Sequence, residues 1–227
     1  MKQLANLLIV MAFSSLTIFA QEQTSNDEIK TLFGKTGQQT IGGFGALSFN
    51  YGKVNNLDAI FMGARGAVVL NHNLAIGLGG KGFITAPVLD ANLGEDYEYA
   101  GGYGGFYLEP IVWGKQPIHL SFPILIGAGG LGYVKHWGDY NNTNNQDFQK
   151  YDEDSYAFFV FEPGVELEFN IVRFMRIALT ANYRLTSDIK LNYKNTDLNP
   201  TYAGTPIAPN DLLRGFSVGV IMKFGKF

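Results

Sequence analysis

Residues 158–169, FFVFEPGVELEF, combine aromatic and branched side chains that suit a lipid bilayer with three glutamates that do not. A charged side chain facing lipid costs about 3 kcal/mol, and an unpaired charge buried in protein also costs free energy. A β-strand resolves the conflict, because its side chains alternate between two faces. One face then carries Ala157, Phe159, Phe161, Pro163, Val165, Leu167 and Phe169, and the other carries Phe158, Val160, Glu162, Gly164, Glu166, Glu168 and Asn170. The stretch therefore predicts a strand between an apolar and a polar environment.

The same alternation recurs along the chain from about Thr40 onward. It predicts strands at residues 40–51, 58–70, 74–85, 98–113, 117–134, 155–170, 173–186 and 213–226. Their connections alternate between short turns, as at 71–73 and 114–116, and longer polar segments, as at 135–154 and 187–212. This alternation is typical of outer-membrane barrels. The sequence therefore predicts an all-β fold, an eight-stranded antiparallel transmembrane up-and-down β-barrel with short periplasmic turns and long extracellular loops.

A soluble, lipocalin-like barrel would show the same alternation with its apolar face turned inward. Two features favour an outward apolar face: the charged face is rich in glycine, and the bulky apolar face would crowd the narrow interior of an eight-stranded barrel. A third feature is the position of aromatic residues near the strand ends, as in the two girdles of a membrane barrel. These are Phe49, Tyr51, Phe159, Tyr183 and Phe216 near the loops, and Phe169, Phe224 and Phe227 near the turns.

The N-terminus has the pattern of a secretory signal peptide, with Lys2, an apolar run over residues 4–19, and then Ala20 and Gln21. We expect a signal peptide over 1–20, an N-terminal periplasmic segment over 21–39 and the outer-membrane barrel domain over 40–227. The chain contains no cysteine, which excludes a lipoprotein anchor and a disulfide framework. After the N-terminal run, no apolar stretch is long enough for a transmembrane helix.

Charged residues of both signs are predicted to face the barrel interior, together with one histidine. This interior charge cluster comprises Arg65, Lys81, Glu109, His119, Glu162, Glu166, Glu168, Arg176, Arg184 and Lys223. The strand directions place Glu166 or Glu168 opposite Arg176, and Glu109 near His119 across the turn at 114–116. Side chains fill an eight-stranded barrel, so the charges either pair into a plug or line a narrow path for protons, ions or small solutes.

Three prolines lie within the predicted strands, although a closed barrel has no edge to hold a residue without an N–H group. β-Bulges at Glu109-Pro110 and Glu162-Pro163 would accommodate two of them, and the third is Pro123. A bulge reverses the facing of the residues that follow it. A bulge at Pro163 would therefore alter the facing of the later glutamates in the strand.

The sequence predicts no catalytic site, metal site or cofactor. His119 and Ser121 share a strand face and resemble the His-x-Ser motif of outer-membrane lipid A deacylases, but Leu131 and Tyr133 stand where that motif's carboxylate is expected. Asp139, Asn141 and Thr143 have calcium-loop spacing without its later glycine and glutamate, where Asn144 and Lys150 stand.

Four stretches carry a resemblance to a known group of proteins: GARGAVVLNHNLAIGLGGKGF at 63–83, FYLEPIVW at 106–113, SFPILIGAGG at 121–130 and FFVFEPGVELEFN at 158–170. They resemble small outer-membrane barrels of the OmpA/OmpX type, and in particular uncharacterised outer-membrane barrel proteins of Bacteroidota. The resemblance implies a barrel in the cell outer membrane and assigns no activity, because fold alone does not specify function.

We therefore expect a structural or surface-interaction role in the outer membrane. The expected partners are outer-membrane lipid, the barrel-assembly machinery and an extracellular ligand bound through loops 135–154 and 187–212. The alternatives are a narrow pore, a lipid-modifying enzyme and a soluble carrier. A net charge of −3 argues against a nucleic-acid partner.

Overall fold

The computed structural model describes residues 40–136, 155–193 and 202–227. Their strands are β1 (Ile41–Val54), β2 (Leu57–Leu70), β3 (Leu74–Thr85), β4 (Val88–Asp90), β5 (Glu95–Val112), β6 (Ile118–Ser121), β7 (Ile124–Lys135), β8 (Ser155–Val172), β9 (Met175–Thr186) and β10 (Gly215–Lys226). No helix in these ranges is long and apolar enough to span a membrane.

The strands close into a ring of antiparallel neighbours. β1 pairs with both β2 and β10, which joins the two ends of the sheet. β4 continues β3 along β5 after a short break, and β6 and β7 are two parts of one strand interrupted at Phe122 and Pro123. The described residues thus form eight strand positions around the ring, as the alternation predicted.

The two faces of the ring differ as the pattern predicted. Large apolar side chains point outward and are exposed, with Phe106 and Phe159 each 74% exposed. The inward side chains are buried, and they include four glutamates within β5 and β8: Glu109, Glu162, Glu166 and Glu168.

The described turns at one end of the ring, 71–73, 113–117 and 173–174, are short, and we call this the turn end. The opposite end, with the described connecting residues 55–56, 91–94, 136, 187–193 and 202–214, is the loop end. Its first connection is shorter than predicted, because β1 and β2 extend to a two-residue turn at Asn55 and Asn56. Both residues have positive φ, 47° and 64°, as the tightest hairpin turns require.

The prediction of β-bulges at Pro110 and Pro163 is wrong. Strand β8 keeps one continuous register with β6 and β7 across Pro163, and its register with β9 shifts only between Asn170 and Val172. The Gly164 N–H donates to the Pro123 carbonyl at 2.8 Å, and the Phe122 N–H donates to the Pro110 carbonyl at 2.9 Å. The carbonyls of Pro110 and Pro123 thus still accept hydrogen bonds from neighbouring strands. The missing proline N–H groups remove ladder hydrogen bonds locally, and the strands keep their register. Consequently, Glu166 and Glu168 face inward like Glu162.

Inward glycines allow the strands to approach closely around a narrow interior. A Cβ atom on Gly219 would lie 2.1 Å from the Phe49 carbonyl oxygen and 2.7 Å from the Asn50 Cα atom. By contrast, a Cβ atom on the outward Gly45 would meet nothing within 4 Å. The inward small residues are thus a steric requirement of the ring.

We expect Gly219→Ala to destabilise the barrel by about 1–3 kcal/mol, because the added methyl group forces the backbone of β1 and β10 apart. Gly45→Ala is the matched control and is expected to leave the free energy of unfolding nearly unchanged. Urea unfolding in lipid vesicles measures both values. Equal effects of the two substitutions would contradict the steric account.

Candidate functional site

A network of buried ion pairs centres on Lys223 of β10. Its ammonium group lies 2.5 Å from Glu109 Oε1, 2.6 Å from Glu168 Oε1 and 2.9 Å from Glu166 Oε2. The lysine side chain is 1% exposed and the three carboxylates are fully buried. Because the carboxylates belong to β5 and β8, the last strand is tied to strands elsewhere in the ring.

Arg65 of β2 completes the centre of this network. It binds Glu166 through two parallel hydrogen bonds, Nη1 to Oε1 at 2.8 Å and Nη2 to Oε2 at 2.7 Å. Its guanidinium carbon also lies 4.4 Å from the centroid of the Tyr107 ring, and the Tyr107 hydroxyl donates to Glu109 Oε2 at 2.5 Å. Bidentate geometry and stacking are the contacts that a planar guanidinium makes best.

The network extends toward the turn end through Glu168. Its Oε2 atom lies 3.1 Å from His119 Nε2 and 3.4 Å from Arg176 Nη1, while Ser121 Oγ donates to Oε1 at 2.6 Å. His119 was expected to meet Glu109 across the turn. Instead, the β6–β8 register pairs His119 with Glu168.

A second ion pair lies nearer the loop end. Lys81 Nζ lies 2.5 Å from Glu162 Oε1, and the Tyr103 hydroxyl donates to Glu162 Oε2. A cavity of about 20 Å³ adjoins Arg65, Lys81 and Glu162. That volume has room for about one water molecule.

Arg184 lies apart from these carboxylate clusters and supports the loop end. Its Nε group donates to the Leu213 carbonyl at 2.9 Å, and its Nη2 group donates to the Lys53 carbonyl at 3.3 Å. Its guanidinium carbon stacks 4.1 Å from the centroid of the Phe61 ring. This arginine therefore joins the long loop between β9 and β10 to the barrel wall.

The described parts of that loop pack over the barrel mouth. Five of its apolar residues belong to the core cluster that fills the loop end of the barrel: Ile189, Leu191, Ala208, Leu212 and Leu213. The loop is further held by Asp90, whose Oδ2 atom accepts hydrogen bonds from the Tyr133 hydroxyl at 2.8 Å and the Tyr193 hydroxyl at 2.7 Å. Sequence reasoning had assigned 187–212 to an outward binding loop and gave no sign of this inward packing.

Burial raises the pKa of Tyr193 to about 12, and its hydrogen bond to Asp90 adds to the shift. The neutral hydroxyl donates to the carboxylate, whereas a phenolate would repel it. The free energy that this hydrogen bond contributes to loop closure is therefore fully present below the ordinary tyrosine pKa of about 10. It is lost as the pH rises through the raised pKa of about 12.

We expect Tyr193→Phe to reduce the alkaline loosening of the loop between about pH 10 and 12, because phenylalanine cannot ionise. Hydrogen exchange of the loop amides, corrected for the intrinsic pH dependence, measures the loosening. Tyr202→Phe is the control, since its ring packs against Tyr193 in a tilted arrangement but no hydrogen bond joins it to Asp90 among the described contacts. An unchanged profile in Tyr193→Phe would contradict the role of this hydroxyl.

Most of the aromatic residues predicted to form the girdles lie on the outer surface of the ring. Phe49, Tyr51, Phe159, Phe216 and Phe224 are exposed on the outer surface, and Phe169 and Tyr183 are half-buried. The placement of Phe227 was wrong: its ring stacks on Phe44 at 5.7 Å and lies 3.9 Å from the Arg176 guanidinium. The reason is parity, because Phe227 is three residues after the outward Phe224.

Sequence reasoning missed two aromatic residues in the short turns. Trp113 is 67% exposed and Phe174 is 63% exposed. The signal was present, since each stands beside a basic residue at a turn, Lys115 or Arg173. The alternation pattern places both residues at the ends of predicted strands, 98–113 and 173–186, whereas the structure places them in the turns.

The chemistry of the network differs from that of a catalytic or metal site. Ser121 donates its proton toward Glu168, so His119 is not placed to accept it as a general base. Glu109, Glu166 and Glu168 offer oxygens within 4.8 Å of one another, a spacing that could hold a cation. The Lys223 ammonium already lies among these oxygens and neutralises part of their charge.

Comparison with known proteins adds evidence on the fold. Neisserial surface protein A is similar to this chain with a TM-score of 0.52 and 5% identity, covering 84% of this chain and 100% of that protein's chain. The described chain has the fold of a small outer-membrane β-barrel. The N-terminal barrel domain of Pseudomonas aeruginosa OprF matches with a TM-score of 0.38 and 8% identity, over 83% of this chain and 99% of that chain. The Yersinia pestis attachment invasion locus protein Ail matches with a TM-score of 0.33 and 13% identity, over 82% of this chain and 95% of that chain. No protein-family model and no curated protein sequence matches the chain.

We expect Lys223→Met to destabilise the barrel by about 3–5 kcal/mol, because it leaves buried carboxylates without their shared cation. Lys190→Met, at an exposed loop position, is the control. Adding Glu109→Gln to Lys223→Met is expected to restore part of the lost free energy of unfolding, measured by urea titration in lipid vesicles. Strictly additive losses in the double variant would contradict the shared ion-pair network.

Proposed function

We propose that this protein is an integral outer-membrane β-barrel with a closed interior and a structural or surface-interaction role. The observation that carries the proposal is the contrast between its two faces: the outer surface exposes large apolar side chains, while charged side chains are paired inside. The fold shared with Neisserial surface protein A supports this assignment.

The outer face supports a lipid environment. Exposed large apolar residues occur on every long strand, among them Leu47, Met62, Leu78, Phe106, Ile126, Phe159, Leu179 and Val218. A continuous apolar surface of this kind is unfavourable in water and suits the hydrocarbon core of a bilayer. The long strands contain 12–18 residues, which exceeds the 9–11 residues a tilted transmembrane strand needs.

The inner contacts support a closed barrel. Ion pairs around Lys223 and between Lys81 and Glu162 occupy two levels of the interior, and loop residues such as Leu213 pack above them. A continuous water path would require these buried ion pairs to separate, and a charge left buried without its partner costs about 3–5 kcal/mol. The geometry therefore favours a plug over a narrow pore.

The loop end supports a surface role. The predicted ligand loop 135–154 lies outside the described residues except for Lys135 and His136. Among described residues, the β4–β5 hairpin exposes Val88 and Leu89, and the β9–β10 loop exposes Asp188 and Lys190. We propose that these loops provide contacts for an extracellular partner.

The proposal includes export of the chain through a signal peptide at residues 1–20 and insertion into the outer membrane by the barrel-assembly machinery.

Two measurements on the full chain test this function. Expressed protein is expected in the outer-membrane fraction, extractable only with detergent, because its exterior is apolar. In planar bilayers, the purified protein is expected to give no large, stable open channel. Recovery in the soluble periplasmic fraction would refute the membrane assignment, and stable open channels would refute the closed interior.

A further inference from the structure

The exposed side-chain charge at the turn end is entirely basic among the residues that the structure describes. Lys115, Arg173 and Lys226 are exposed there. The described carboxylate side chains lie elsewhere, either inside the barrel or near the loop end. Those inside are Glu109, Glu162, Glu166 and Glu168, and those near the loop end are Asp58, Asp90, Glu95, Asp96, Glu98, Asp188 and Asp211.

Two of these basic residues share adjacent turns with exposed aromatic side chains. Trp113 and Lys115 lie in the β5–β6 turn, and Arg173 and Phe174 form the β8–β9 turn. The turns are neighbours because β6 pairs with β8, and Asn170 joins them through hydrogen bonds to the Pro117 carbonyl at 2.9 Å and the Gln116 carbonyl at 2.7 Å. We call Trp113, Lys115, Arg173 and Phe174 the basic rim.

The backbone holds this part of the surface in a defined conformation. Trp113 has a φ of 59°, a left-handed conformation that is rare for a bulky residue. Gly114 behind it packs so closely that an added Cβ atom would lie 2.2 Å from the His72 carbonyl oxygen. The Gln116 N–H donates to the Trp113 carbonyl at 2.8 Å and closes the turn. The exposed indole is therefore presented by a constrained turn.

Exposed tryptophan beside lysine and arginine at the end of a transmembrane segment suits the boundary between hydrocarbon and lipid headgroups. The aromatic rings lie at the depth of the headgroups, and the cations attract phosphate oxygens. We propose that the basic rim binds the headgroups of anionic phospholipids in the leaflet that the turn end faces. This inference rests on the membrane location proposed above. An acidic protein partner is the alternative, and the flanking apolar side chains favour lipid.

Quenching of Trp113 fluorescence by brominated lipids tests the inference directly. The full chain with Trp137→Phe is reconstituted in vesicles, so that Trp113 is the remaining tryptophan. Brominated phosphatidylglycerol and brominated phosphatidylcholine are compared, and their quenching gives a relative association constant. Each basic residue near an anionic surface contributes about 1 kcal/mol, or about fivefold. We therefore expect a preference for phosphatidylglycerol of about fivefold or more at low ionic strength, weakening as salt is added.

The variant Lys115→Gln/Arg173→Gln is expected to bring this ratio close to one, and Lys115→Arg/Arg173→Lys to retain the preference. The matched control is Lys53→Gln/Lys190→Gln, which removes exposed cations at the loop end and is expected to leave the ratio unchanged. Two results would overturn the inference: a phosphatidylglycerol-to-phosphatidylcholine ratio near one when the basic rim is intact, or an equal loss of the phosphatidylglycerol preference in the control variant. Failure of the protein to insert into vesicles would instead overturn the proposed membrane function.

Discussion

The interior of an eight-stranded ring is just wide enough for its own side chains, and this constraint governs most of the structure. Each inward position must be very small or must complement the side chains across the ring. Gly219 illustrates the first case, because a methyl group there would overlap the backbone of β1. Lys223 illustrates the second, since its ammonium group contacts carboxylates of β5 and β8 at hydrogen-bonding distance. Charges that would be unfavourable in lipid thus become cross-links within the ring.

The same constraint explains why the buried groups differ from those of an enzyme. A nucleophile needs a base that is free to take its proton and space for a substrate. Ser121 and His119 instead contact the same carboxylate, Glu168. Likewise, Lys223 and Arg65 pair with the three clustered glutamates and balance two of their three charges. Both arrangements support a structural role for the network.

The two ends of the barrel are organised differently. At the loop end, apolar residues such as Leu213 pack into the mouth, and Arg184 and Asp90 bind the loop that carries them. At the turn end, the short connections leave Trp113 and Phe174 exposed beside basic residues. This difference between the ends is the basis for the proposed surface role of the loop end and the proposed headgroup contact of the turn end.

The alternation of residue types, taken alone, determined the strands, their number and which side chains face inward, because the side-chain period of a strand is two whatever its partners. It predicted the facing of Glu162 and the exposed positions of Phe159 and Phe216 for that reason. Only the tertiary structure decided which charges pair, since Arg65 and Glu166 are 101 residues apart and meet through closure of the ring. It also decided that Pro163 leaves the register intact and that the described part of the β9–β10 loop covers the mouth. Those outcomes depend on the space available across a closed barrel, which local sequence does not encode.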